Sequence, residues 1–318
     1  MPERSIQHLP ISIFATVMGF AGFAIAVEKF EQYWQLNQIA SNVLLVFSGV
    51  LLLVLSALYL AKFALFPNSV IEEFNHPIRL SFFPTISIAL LVLTVGIHQR
   101  LPDVAVWMWW IGITGQLIFT LAILTRWMHR ETFVTEQSNP AWFIPIVGNV
   151  LVPVAGVNLG FVEVSWFYFS FAIVLWLPML AIVLNRIFFH PAIPQKLWPT
   201  LFILIAPPAV GFIAWTQLNE RELDAVGRIL FYFAVFTTIL LFAQARYFAT
   251  VKFALPWWAY SFPLAAISIA NFLFSEITGD IYSLVFAHLI LVFLTGLIIT
   301  LTYKTAKAAL ANQICQPE

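Results

Sequence analysis

Long apolar stretches leave this chain few ways to fold. A helix needs about 20 mostly apolar residues to cross a bilayer. Ten such stretches run along the sequence, at 11–30, 39–63, 80–98, 104–126, 141–161, 164–188, 197–218, 225–248, 255–275 and 281–303. They are continuous rather than alternating over about 10 residues, which argues against a β-barrel. Of the 318 residues, 61% are hydrophobic and only 9% are charged, where soluble domains run at roughly 45–50% and about 25%. That excess excludes a soluble globular enzyme and a disordered chain. The predicted fold is an all-α polytopic membrane protein of ten transmembrane helices in a single domain, 1–318. Basic and acidic residues balance at 15 each, so no charge excess calls for nucleic acid. The lone Cys315 can form neither an internal disulfide nor a multi-thiolate metal site.

The stretch from Ile11 runs straight into Glu28, Lys29 and Glu31 with no small-residue cleavage site, so it reads as a permanent span rather than a signal peptide. The connections are short; the longest run from Lys62 to Arg79 and from Arg126 to Pro140. Charges in them set an orientation. One side collects Arg4, Lys62, Arg79, Arg126, Arg130, Arg186, Lys196, Arg246, Lys252, Lys304 and Lys307; the other has Lys29, Arg100, Arg221 and Arg228. Eleven against four places both termini in the cytoplasm and requires an even number of spans. Trp107, Trp109 and Trp110, and Trp257 with Trp258, read as interfacial anchors. Glu72 and Glu73 read as a solvated loop pair.

Helix-breaking residues sort by span. Pro84, Pro145, Pro153, Pro207, Pro208 and Pro263 fall in odd spans, whereas among the even spans only the sixth holds a proline, Pro178. Gly19, Gly22, Gly96, Gly148, Gly156, Gly160 and Gly211 follow the odd spans too. An interior proline removes one backbone hydrogen bond and bends the helix. In lipid the freed carbonyl needs a partner, so such helices belong inside protein or along a cavity. The chain therefore reads as five hairpins, about 10–66, 77–130, 140–190, 197–250 and 255–307, each pairing a kinked inner helix with a straight outer one facing lipid. Inner starts near Pro10, Pro77, Pro140, Trp198 and Pro256 recur about every 60 residues around a central axis.

The inner spans are also free of interior charge. None lies between Arg79 and His98, Pro140 and Glu163, Lys196 and Glu220, or Lys252 and Glu276. Proton-coupled carriers ordinarily keep a titratable group at mid-membrane, so its absence points to a passive pathway. An uncharged lining with exposed backbone N–H groups and helix N-termini still accommodates anions, holds them weakly and releases them fast. The candidate pore-lining or kink residues are Phe14, Gly19, Phe82, Pro84, Pro145, Gly148, Pro153, Ala206, Pro207, Ser261 and Pro263. Arg79 is the candidate vestibule cation. His288 reads as a packing or hydrogen-bonded histidine, and Gln116 and Asn149 as interhelical hydrogen-bonders. No nucleophile–base pair, phosphate loop or metal spacing is present, so neither an enzyme nor a cofactor is expected.

Several short segments carry a family likeness. Trp258-Ala259-Tyr260-Ser261-Phe262-Pro263, followed by Leu264-Ala265-Ala266, is the most specific. His76-Pro77-Ile78-Arg79, Trp110-Ile111-Gly112, Gly115-Gln116-Leu117, Phe143-Ile144-Pro145 and Ala206-Pro207 support it, in order along nearly the whole chain. Together they resemble the tellurite-resistance/dicarboxylate transporter family, which includes bacterial TehA and the slow-type (SLAC-type) anion channels of plants. The resemblance implies a homotrimer in the bacterial cytoplasmic membrane, with a pore through each protomer and Phe262 as the gate. It implies passive conduction of small monovalent anions such as chloride or nitrate. The alternative it leaves open is a proton-coupled or exchange carrier for dicarboxylate, sulfite or tellurite. Pro84 lies about three positions before the family's kink, and a proline after Phe262 matches the plant pattern. The long phosphorylated tails of the plant channels have no counterpart, so kinase regulation is not implied.

Overall fold

The computed structural model describes residues 6–129, 137–311 and 314. Arg4, Arg130 and Cys315 lie outside the described residues. Among the described residues the fold is all-helical. In chain order the apolar helices are α1 (Ile11–Tyr33), α2 (Ile39–Leu65), α3 (Arg79–Ile97), α4 (Pro102–His129), α5 (Pro140–Gly156), α6 (Val162–Phe189), α7 (Gln195–Leu218), α8 (Ala225–Phe242), α9 (Leu255–Thr278) and α10 (Ile281–Leu310). Nine of these are long and apolar enough to cross a membrane; α5 is shorter.

The α5 segment departs from a single rod. It alternates between 3-10 turns (Pro140–Phe143, Gly148–Leu151) and α turns (Ile144–Val147, Val152–Gly156). Pro145 and Pro153 explain the breaks, since each lacks an N–H and its ring clashes with the turn before it. The predicted eighth span is also shorter than expected, because α8 ends at Phe242 and Ala245–Phe248 forms a separate turn.

Burial separates two kinds of helix. In the most apolar window of each, 83% of α1, 78% of α3, 89% of α7 and 72% of α9 is buried, against 28% to 39% for α2, α4, α6, α8 and α10. Every residue of α5 is buried. The buried helices touch in a closed order, α1 to α3 to α5 to α7 to α9 and back to α1. Each exposed helix packs on its sequence neighbours; α2, for example, lies against both α1 and α3. The outer faces carry bulky apolar residues such as Leu53, Ile111 and Val292. Lipid tails are as apolar as leucine, so helices gain little by burying such residues against one another.

The prolines act differently from interior kinks. Each buried helix begins as a 3-10 segment: Ile11–Phe14, Arg79–Phe82, Pro140–Phe143, Gln195–Ile205 and Leu255–Tyr260. The α-helix then starts at Ala15, Thr85, Ile144, Ala206 and Ser261. Pro84 precedes Thr85, Pro145 and Pro207 sit in the first α turn, and Pro263 is the third α residue. There the missing N–H has no helical partner to lose. Hydroxyls support the junctions. Thr16, Thr85 and Ser261 each donate to the carbonyl three residues back, those of Ile13, Phe82 and Trp258.

Two expectations about polar and aromatic residues need correction. The Lys62–Arg79 connection contains a surface helix, Pro67–Asn75, and Glu73 on it is buried against Lys62 rather than solvated. Trp109 and Trp258 are likewise buried, and donate to the Val152 carbonyl and the Thr305 hydroxyl. Trp107 stays exposed.

Candidate functional site

A cavity of about 70 Å³ lies inside the ring, and all five buried helices line it. They contribute Ser12, Ala15 and Met18 from α1, Phe82, Thr85 and Ile88 from α3, and Phe143, Ile144, Val147, Gly148 and Leu151 from α5. From α7 come Ile203, Ala206 and Val210, and from α9 Ala259, Phe262 and Pro263 among others. No lining residue among those described is charged; Ser12 and Thr85 bring the only hydroxyl side chains. At about 15 Å³ per water-sized body, the space holds a few waters or one small ion.

The lining follows from the junctions. Ala15, Thr85, Ile144 and Ala206 are the first α residues of their helices, and Phe262 is the second of its own. The cavity thus sits inside the helices rather than at their ends: the first α N–H groups are bonded to the 3-10 segments, as Ala15 N–H is to Ser12 O and Ile144 N–H to Ala141 O. The helix N-termini, each carrying roughly half a positive charge, lie toward the vestibule, which Ile11, Arg79 and Leu255 line. The spacing 12-15-18, 82-85-88 and 256-259-262 carries one helix face from a 3-10 start into the first α turns, the signal by which the sequence could have identified Ser12, Met18, Thr85 and Ile88.

Phe262 stands near the deep end of the cavity, in the first half of α9. Gly22 of α1 backs its ring: a Cβ built on Gly22 would lie 3.2 Å from Phe262 Cδ2 and 3.1 Å from Ala265 Cβ. At Gly19 a Cβ would come within 2.3 Å of Ser261 Oγ and 2.9 Å of Trp258 Cε3. Small residues therefore bring α1 and α9 close together.

Of the residues singled out from the sequence, Phe82, Gly148, Ala206, Phe262 and Pro263 line the cavity. The others lie off it. Phe14 is fully buried edge-on to Tyr59, with ring centroids 5.9 Å apart. Gly19 and Ser261 face each other in the α1–α9 contact. Pro84, Pro145, Pro153 and Pro207 mark helix junctions. Behind α5, Asn149 Nδ2 donates to the Thr120 hydroxyl and to the Pro145 and Ile146 carbonyls, at 2.9 to 3.0 Å. Gln116 and Thr120 also donate to Pro145 O, and Ser87 donates to Gln116 Oε1. His288 accepts a hydrogen bond from Trp34 Nε1 at 2.9 Å.

Above the cavity, at the end where Gln7 and Ile314 lie, opens a vestibule of about 650 Å³. Ser12, Phe82, Leu255 and Pro256 line both spaces and form the throat between them. Arg79 lines the vestibule with His8, Lys62, Glu72, Glu73, His76 and Lys196. The backbone N–H groups of Ile78 and Arg79 donate to His76 Nδ1, which fixes this entry to α3. No cluster of three or more metal-binding side chains occurs among the described residues.

A ring of buried helices around an uncharged cavity, sheathed by apolar helices, defines an integral membrane protein of the channel and transporter class. The chain belongs to the SLAC1 family, described as voltage-dependent anion channels, whose model matches residues 8–306. The S-type anion channel SLAH2 of Arabidopsis thaliana is 30% identical over 282 residues, 86% of this chain and 54% of its own length. The Tellurite resistance protein TehA homolog of Haemophilus influenzae is 23% identical over 307 residues, 94% of this chain and 92% of its own. An uncharacterized transporter of Methanocaldococcus jannaschii is 26% identical over 301 residues, 87% of this chain and 88% of its own. The chain spans about half the length of the plant relatives it matches first.

Proposed function

We propose that this protein is a passive anion channel rather than an enzyme, and that Phe262 is its gate. The observation that carries the reading is the cavity itself: five buried helices line it, no charged side chain does, and the Phe262 ring stands near its deep end. The helix N-termini facing the vestibule supply diffuse positive potential, and the cavity beyond them holds no fixed cation, so a small anion is attracted yet not trapped. The size of the cavity favours chloride or nitrate over larger anions. Anions gather in the vestibule, where Arg79 and Lys196 contribute positive charge, and pass through when the Phe262 ring rotates away from Gly22.

In this reading ten spans form five hairpins in one domain, with α5 as the broken fifth. Three protomers assemble, each with its own pathway, in a bacterial cytoplasmic membrane with both termini inside. Its partners are small inorganic or organic anions and membrane lipid.

Anion currents through the unmodified protein and Phe262→Ala, measured at two external pH values, test this. A large rise in the variant, with a reversal potential that follows chloride and ignores pH, is the expected result. No rise returns Phe262 to ordinary packing. A reversal potential that moves with pH identifies a coupled carrier for dicarboxylate, sulfite or tellurite instead.

A further inference from the structure

One buried polar cluster borders the vestibule and has no part in the pathway just described. Glu73, on the surface helix, and Lys62, near the end of α2, are each only 3% exposed, and Lys62 Nζ lies 2.6 Å from Glu73 Oε2. The same oxygen accepts the Tyr59 hydroxyl at 3.0 Å. Glu73 Oε1 accepts the Ile11 N–H at 2.7 Å. Lys62 Nζ also donates to the Leu9 carbonyl at 2.7 Å. An ammonium, a phenol O–H and a main-chain N–H therefore converge on two oxygens of one carboxylate. That is the donor set of a carboxylate-binding site, in which charge assistance makes the bonds strong.

Two features separate this cluster from an ordinary structural ion pair. First, Ile11, Lys62 and Glu73 all line the vestibule, and Ser12, next to Ile11, lines the throat. An anion from solution can reach the donors. Second, the carboxylate arrives on a nine-residue helix between Phe66 and His76 in which only Val70 and Glu73 are buried. Its other residues are half-buried or exposed. The donors belong to α1 and α2, in the body of the protein, whereas the carboxylate belongs to a shallow element at its edge.

We propose that Lys62, Tyr59 and the Ile11 N–H form a binding site for a carboxylate-sized anion in the vestibule wall. Glu73 fills the site as a tethered ligand that an anion from solution can displace. With Glu73 seated, Lys62 is neutralised and does not hold anions beside the throat. With Glu73 displaced, the donors bind the anion directly. Only this consequence for flux rests on the channel reading; the site itself does not.

Glu73→Ala removes the tethered ligand and leaves every donor in place. The full-length variant, purified in detergent, is heated across a series of formate concentrations at constant ionic strength. A ligand that binds only the folded state stabilises it by RT ln(1 + [L]/Kd). The midpoint of Glu73→Ala is expected to climb with the logarithm of formate concentration. The unmodified protein is expected to climb only at higher formate, where the anion competes with Glu73, and Lys62→Met/Glu73→Ala to stay flat. A flat response in Glu73→Ala, or an equal climb in the double variant, overturns the site. If Glu73→Ala folds only when formate is present, the site is supported; if formate cannot rescue it, the site fails. Chloride flux in Phe262→Ala tests the channel separately. A formate response without flux sinks the channel reading alone, and flux without a formate response sinks the site alone.

Discussion

α9 and α5 make the same switch from 3-10 to α geometry beside the same cavity, but they are held by opposite means. At α9 the junction is packed. Gly19 and Gly22 of α1 let Ser261, Phe262 and Ala265 approach within contact distance, and the Ser261 hydroxyl caps the Trp258 carbonyl locally. At α5 the junction is tied. Pro145 O receives donors from Asn149, Gln116 and Thr120, the latter two on the outer helix α4. Close packing restrains an aromatic ring through shape and leaves it free to turn if space opens. A hydrogen-bonded tie fixes a backbone that two prolines would otherwise leave unsupported. If Phe262 gates as proposed, the contrast places the movement on the α1–α9 side and the support on the α4–α5 side.

The sharpest way to break this contrast is at Phe262. Phe262→Ala should raise anion flux about tenfold or more in proteoliposomes, which corresponds to roughly 1.4 kcal/mol removed from a barrier. Gly19→Ala should be next. Its Cβ would overlap Ser261 Oγ at 2.3 Å, and such overpacking costs about 1–3 kcal/mol. It should lower the thermal midpoint and also alter flux, because it displaces α9. Asn149→Ala removes an amide NH2 whose two hydrogens reach three acceptors within the fold, and should cost about 1–2 kcal/mol. It should lower the midpoint while leaving flux in the Phe262→Ala background within about twofold, less than 0.5 kcal/mol on the barrier. The contrast collapses if Asn149→Ala changes flux as much as Gly19→Ala does.

The smallest effect is expected away from the cavity, at the start of α10. Asp280 caps that helix, and hydrogen bonds from the Ser283 hydroxyl and N–H hold its carboxyl below the usual carboxylate range. The folded state therefore favours the ionised form. The resulting stability is present above the ordinary aspartate value of about 3.9 and is lost as pH falls through the lower folded value. Asp280→Ala should remove that acid-range slope from the thermal midpoint and leave it unchanged near neutrality apart from the lost cap.

Much of the architecture was legible because lipid imposes simple rules. Span lengths, the charge-free odd segments and the sorting of proline and glycine all follow from the lack of water, and they separate buried from exposed helices. What the prolines do was not legible. A proline marks an interruption, but sequence alone does not distinguish a bend inside an α-helix from the end of a 3-10 segment, so Pro84 and Pro207 read as kinks. Glu73 was misread for a related reason. Beside Glu72, in a connection between spans, it looks like any solvated charge. Its partners Lys62, Tyr59 and Ile11 come together only once the surface helix folds back over α2. Phe262 stood out through its neighbours in a motif, whereas Ser12 and Thr85 stood out only once the three-residue spacing of the helix starts was seen.

The sparse polarity of the central cavity has a consequence for water as well as for ions. Empty protein cavities tend to be apolar ones, and a water usually needs two to four polar partners to settle. Here Thr85 directs its hydroxyl to the Phe82 carbonyl and Trp258 its indole N–H to Thr305, which leaves the Ser12 hydroxyl at the throat as the main polar group facing the lining. Such a chamber is poised between filled and empty, like a small bubble held open by its walls. In the proposed channel, conduction would then begin with wetting: a liquid thread would have to form across the chamber before any ion could follow it, and each wall residue would act through the surface tension it sets.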